Sequence, residues 1–212
     1  MRKSLLFLYI AAFAILVIIA WSVIDFDLWK GASEENANSV VELRSPTVLS
    51  ADPVVGYERA PVTIIVFSDF ACPYCASMTE TLGAVITSHP EDIRVVWKDL
   101  IVPEHSEARN AAEAARCAKE QGAFWQYHEQ LFANQLALTD ATYQRIAQEL
   151  DLDIEQFTIC RGEHRYRTDV LVNYELRETF GIESTPHLFI NGDPYEGYYT
   201  VTELEEILTQ YL

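Results

Sequence analysis

The chain has 212 residues, half of them hydrophobic and 12% aromatic, enough for one well-cored domain with an appendage and too few for two full-sized domains. That apolar fraction excludes global disorder. A formal net charge of −17 excludes a nucleic-acid surface, whose phosphates it would repel, and reads as an acidic, solvated exterior.

In chain order, the first feature is the uncharged run SLLFLYIAAFAILVIIAWSVI from Ser4 to Ile24. As a helix it spans roughly 30 Å, the thickness of a bilayer core. Arg2 and Lys3 precede it, while Asp25, Asp27, Glu34 and Glu35 follow with Lys30 as the one basic residue among them. The positive-inside rule then places the N-terminus in the cytoplasm and everything after residue 24 outside. A cleaved signal peptide would end in small residues of the A-x-A type, whereas this run ends IIAWSV, so residues 1–30 are expected to be a retained anchor in the cell (inner) membrane. Residues 31–51, small and polar with one short apolar patch, are expected to be a tether. The domain proper is expected over 52–212. Outside the cytoplasm its four cysteines are free to form disulfides, with three possible pairings.

Within the domain, VTIIVF (62–67) is a continuous β-branched run, as a buried central strand requires. A helix is predicted from Pro73, whose missing N–H costs nothing in a first turn, toward His89. IRVVWKDL (93–100) is a second strand, and strand–helix–strand implies a parallel pair. From about 104 to 180 only helical signals occur. Ala108, Ala111, Ala112 and Ala115 form a small-residue stripe with Gly122 as a stop; Trp125, Tyr127 and Phe132 follow, then Tyr143, Ile146, Ala147 and Leu150, then Tyr166, Val170 and Tyr174. All are expected in the core. HLFI (187–190), the turn Asn191-Gly192 and YEGYY predict a hairpin. Thr200 and Glu203 make a capping box for a closing helix that buries Leu204, Ile207, Leu208 and Tyr211. The predicted order is β-α-β, a helical block, then β-β-α.

The chemistry centres on FSDFACPYCASM, where Cys72 and Cys75 sit between a strand end and a helix start. A zinc site needs four ligands, usually two close pairs. Here Cys117 and Cys160 stand apart, and the five histidines form no H-x₃₋₅-H pair, so no metal is expected. A purely structural disulfide closing about four residues removes little chain entropy. At a helix start, however, unpaired N–H groups and the positive dipole end favour thiolate over thiol, and C-x-x-C pairs at such places have depressed pKa values. The position suits thiol–disulfide exchange.

PVTIIVFSDFACPYC, AARCAKEQGAFWQYHEQLFANQ and FGIESTPHLFING together resemble the thioredoxin-fold DsbA-like thiol–disulfide oxidoreductases, over roughly residues 52–212. CPYC alone would fit glutaredoxins equally, but those lack a helical insertion between the cysteines and the Thr-Pro. The resemblance implies an α/β thioredoxin-like fold with that insertion at about 104–180. It makes Cys72 the exposed nucleophile and Cys75 the buried resolving cysteine, with Pro73 and Tyr74 between them and Thr185-Pro186 as a facing cis-proline segment. His187 follows that segment, as a packed or solvated histidine or as a group near the site. In some relatives the insertion holds a second, structural cysteine pair; Cys117 and Cys160 correspond to it, with free buried cysteines or a second redox pair as the alternatives. The sequence departs from the family at Val66, where many relatives place a buried acid that relays protons. Asp69 lies three before Cys72, and strand alternation puts it on the other face.

The resemblance implies a membrane-tethered, extracytoplasmic (periplasmic) enzyme that oxidises cysteine pairs in exported proteins. It would be recycled by a redox partner in the membrane and would carry no cofactor of its own. A reductase or isomerase using the same residues in reverse is the second reading. A non-enzymatic binding module is the third, and it would have no need of both Cys72 and Cys75.

Overall fold

The computed structural model describes residues 45–212 and, upstream of them, Trp21 alone. The expected membrane span at 4–24 and most of the expected tether lie outside the described residues. Among the described residues no helix is long and apolar enough to cross a membrane. Residues 45–51 already belong to the compact unit, ahead of the expected start at 52. The Ala51 carbonyl, for example, accepts a 2.7 Å hydrogen bond from Arg116.

The strands are β1 (Val54–Gly56), β2 (Val62–Ser68), β3 (Ile93–Asp99), β4 (His187–Ile190) and β5 (Asp193–Glu196). They form one sheet in the order β1-β3-β2-β4-β5. β2 and β3 are parallel, in register from Val62 opposite Ile93 to Ser68 opposite Asp99. Their connection is helix α1 (Pro73–Ser88), as strand–helix–strand requires. The other pairings are antiparallel. β2 is central and buried on both faces, which explains its unbroken apolar run. Ile64 and Val66 point into the main core with Val95, Trp97 and Met78. Ile65 and Phe67 point the other way, against Val96, Phe189 and Ile182.

Between β3 and β4 lie α2 (Ala108–Lys119), α3 (Phe124–Ala133), a 3₁₀ turn (Gln135–Ala137), α4 (Asp140–Glu149), α5 (Ile154–Gly162) and α6 (Arg167–Phe180). α2 is the axis of this block. Its alanines are buried nearly all round, more fully than a single stripe, because neighbours close in on several sides. Thr139 and Asp153 cap α4 and α5 through their side-chain oxygens. A buried polar knot ties the block to the sheet: Asp99 accepts 2.7 and 2.8 Å bonds from Trp97 and Arg116. The hairpin turns at Asn191 and Gly192, both with positive φ (47° and 102°). β5 begins at Asp193 and includes Pro194, which a sheet edge tolerates. Helix α7 (Val201–Leu208) closes the fold with both halves of its capping box formed.

β1 was not expected. Its three residues pair antiparallel with β3, and Gly56 passes so close that an added Cβ would lie 2.4 Å from the Ile93 carbonyl oxygen.

Candidate active site

β2 ends at Ser68, and the next four residues turn the chain into α1. Phe70 anchors this turn, its ring 4.9 Å from Trp97 and 5.2 Å from Phe132. The amide of Gln135, on the 3₁₀ turn of the helical block, donates to the carbonyls of Phe70 (2.8 Å) and Cys72 (2.9 Å). Cys72 is thereby held as the N-cap of α1, in extended backbone geometry, with Pro73 in the first turn.

Both cysteines of the pair carry free thiols. Cys72 is not an exposed thiol; it is 6% accessible, against 0% for Cys75. The two differ in electrostatics more than in depth. The Cys75 thiol, the Thr185 side chain and the backbone amides of Cys75 and Tyr74 point hydrogen-bond donors at the Cys72 sulfur. Against the opposing effect of burial they bring its pKa down to about 5. Burial, and the thiolate beside it, push Cys75 strongly upward. At neutral pH the pair therefore holds one thiolate and one thiol.

The Thr185-Pro186 bond is cis, and the Thr185 carbonyl lies 3.5 Å from Cys72 Sγ, across 113 positions of sequence. Tyr74 projects outward, 65% exposed, as does Leu136 beside Gln135. His187 is packed rather than solvated. Its ring lies 5.1 Å from that of Phe189, neither nitrogen finds a partner, and burial lowers its pKa. Cys117 on α2 and Cys160 on α5 are joined by a disulfide (S–S 2.02 Å), buried within the helical block.

Val66 is buried and lines a cavity of about 160 Å³ with Trp97 and His128. The imidazole of His128 makes no hydrogen bond and is held neutral by burial, its pKa near 3. Asp69 directly follows β2, and its N–H donates to Cys75 Sγ at 3.4 Å. Its carboxylate, 1% exposed, accepts from the amides of Ala71 (2.7 Å) and Val102 (2.9 Å), and lies 3.0 Å from His105 Nδ1. Neither Asp69 in this position nor Gln135 was found from sequence. Their partners are 6 to 65 residues away, and no local pattern marks them.

A family model described as Thioredoxin matches residues 49–210. Among solved structures, the chain is similar to BdbD from Bacillus subtilis in its oxidised form (20% identity, 79% of this chain and 96% of that one, TM-score 0.70). It is also similar to alpha-DsbA1 from Wolbachia pipientis (17% identity, 80% and 94%, TM-score 0.68) and to the catalytic domain of ScsC from Proteus mirabilis (23% identity, 85% and 95%, TM-score 0.66). Curated relatives include proteins named Na(+)/H(+) antiporters, such as NhaA 3 of Salinispora tropica, 34% identical over 82% of this chain. The chain spans only 26% of that relative's length, so its name describes a much larger molecule. The chain belongs to the thioredoxin family, and its architecture is that of the DsbA-like thiol–disulfide oxidoreductases.

Proposed function

We propose that this chain is an extracytoplasmic enzyme that donates disulfides to cysteine pairs of exported proteins through Cys72 and Cys75. The observation that carries the reading is the asymmetry of the pair: the Cys72 pKa falls to about 5 at the start of α1 while that of Cys75 rises. A substrate thiolate attacks Cys72 in the Cys72–Cys75 disulfide and Cys75 leaves, giving a mixed disulfide. A second substrate thiolate attacks the substrate's sulfur, the substrate disulfide forms, and Cys72 leaves as thiolate. A low Cys72 pKa makes it a good leaving group and stabilises the reduced enzyme, which raises oxidising power. Pro186 brings no N–H to the site, leaving the flanking backbone to pair with an extended substrate segment; Tyr74 and Leu136 offer apolar surface beside it.

In this reading residues 1–30 anchor the chain in the membrane with the N-terminus cytoplasmic, a tether up to about residue 51 leads to the domain, and a membrane redox partner reoxidises the pair. The Cys117–Cys160 disulfide is structural. Antiport is not carried over from the longer relatives.

The test is stoichiometric transfer. The oxidised full chain, in detergent, is mixed with a reduced, unfolded protein bearing a cysteine pair. Rapid appearance of substrate disulfide with matching loss of the Cys72–Cys75 bond supports the reading. Transfer in the opposite direction, from substrate disulfide to enzyme dithiol, would make it a tethered reductase.

A further inference from the structure

We propose that the groove between the loop after β3 and α6 is a subsite for the substrate chain, taking a short acidic and apolar stretch beside the cysteine pair. The inference rests on the disulfide-donor reading and adds which substrates it favours. The groove encloses about 470 Å³, and its walls include His105 on the loop, Arg109 and Asn110 in the first turn of α2, and Arg167, Leu171 and Tyr174 on α6. The last three recur at i, i+4 and i+7, on one face of that helix. β2 and β3 run parallel and in register to Ser68 opposite Asp99, so this loop leaves the sheet at the same edge as the Cys72 turn. Asp69 joins the two. One carboxylate oxygen lies 3.0 Å from His105 Nδ1, and the other accepts from Ala71, the residue before Cys72.

Among the described residues no aspartate or glutamate lines the groove; it offers donors and apolar surface. Arg109 is exposed and has no hydrogen-bond or ion-pair partner among those residues. Arg167 gives its Nε to Glu113 at 3.4 Å, which places the side chain and leaves its terminal nitrogens to a ligand. Glu113 and Asp69 offset part of the charge on Arg167 and His105, so Arg109 carries most of the attraction. Both arginines stand in the first turns of their helices, where the dipole disfavours a cation, so helix stability does not account for them. The net charge of −17 repels an acidic segment at long range, but salt screens that field beyond about 8 Å, and inside the groove the guanidiniums are nearer. A carboxylate meets an arginine fork with two parallel hydrogen bonds, which a neutral side chain matches poorly. Beyond the arginines, Leu171 is 37% exposed with Tyr174 one turn further on.

These dimensions define the occupant. From residue 167 to 174 α6 rises roughly 10 Å, the length of about three extended residues. The subsite therefore takes a tripeptide-sized stretch, with a carboxylate at Arg109 and Arg167 and an apolar side chain against Leu171 and Tyr174. Held there, the substrate lies along the support of the active-site turn while its cysteine meets Cys72. The chemistry at Cys72 is unchanged, so the preference acts on binding and not on the limiting rate.

The test uses the oxidised full chain in detergent and three reduced peptides, each with a cysteine pair. They differ in one position beside it, a glutamate, a glutamine or a lysine followed by leucines. Single-turnover disulfide transfer is followed as peptide concentration is raised. The glutamate peptide should reach half-saturation at a roughly fivefold lower concentration than the glutamine peptide. The lysine peptide should need more than either, and all three should share one limiting rate. Arg109→Glu should erase the glutamate preference and leave the glutamine peptide unchanged, and Leu171→Ala should weaken all three alike. Arg59→Glu, in the exposed turn before β2, makes the same charge change away from the groove and should leave the native order. Equal half-saturation of the three peptides in the native chain would overturn the subsite. So would a preference that survives Arg109→Glu, or one that Arg59→Glu erases equally, since net charge would then be its cause. Failure to oxidise even the glutamine peptide would remove the donor reading itself, and the subsite with it.

Discussion

The molecule holds two cysteine pairs whose environments differ in kind. Cys72 and Cys75 lie on one turn at a helix start, where donors converge on one sulfur and burial isolates the other. Cys117 and Cys160 lie 43 positions apart on α2 and α5, both buried, with the Glu120 carboxylate 3.7 Å from Cys160 Sγ. In the chain-entropy view, closing the long loop contributes about 4 kcal/mol and closing the short one about 2. On the proposed reading, the difference is that between a staple and a carrier of electrons. The proposed staple joins distant segments, and the polar group at its sulfur is a carboxylate, which disfavours a thiolate. The carrier joins near neighbours and has a built-in preference for one thiolate.

The sharpest way to break this comparison is to remove one sulfur from each pair. Cys72→Ser should abolish disulfide transfer outright, measured on a reduced substrate protein, whereas Cys117→Ala/Cys160→Ala should retain the native rate at low temperature. The next effect is on stability. The Cys117→Ala/Cys160→Ala chain should lose up to about 4 kcal/mol in denaturant unfolding, while its Cys72–Cys75 reduction potential stays unchanged. A shift in that potential would mean the two pairs communicate.

A third test uses pH. In the reduced protein the folded Cys72 value, about 5, lies below the ordinary 9.0. The resulting stabilisation is complete above the ordinary value and is lost as pH falls through the folded one. The oxidised form has no such group. The stability of the reduced form relative to the oxidised one should therefore grow by about 2 kcal/mol between about pH 5 and about pH 7. No change over that interval would mean that Cys72 is an ordinary thiol. The smallest expected effect is Gln135→Ala. Loss of its two bonds to the Phe70 and Cys72 carbonyls should cost about 1–2 kcal/mol and slow exchange a few-fold, read by unfolding and by transfer rate.

The same contrast marks what could be read from sequence. β2, α1 and β3 were legible because each carries its signal within a few residues: an unbroken apolar run, Pro73 at a helix start, a second run. The capping box at Thr200 and the Asn191-Gly192 turn are local in the same sense. β1 was not legible, since three residues paired to Val95 and its neighbours leave no period to detect. The thiols themselves were plain, but the groups that tune them were not. Asp69 carries no local signal of its contacts, because its carboxylate is held by Val102 and His105 from the loop after β3. Gln135 reaches Cys72 across 63 positions, and His105 reaches Asp69 across 36. Local chemistry writes the elements; long-range contacts tune the site.

The most direct measurement is the equilibrium reduction potential of Cys72–Cys75 in a glutathione buffer, with the Cys117→Ala/Cys160→Ala chain as control. A pair with its thiolate this strongly favoured should lie near about −120 mV, as a strong oxidant does. A value near about −270 mV, like that of thioredoxin, would contradict the disulfide-donor account and make the chain a reductase.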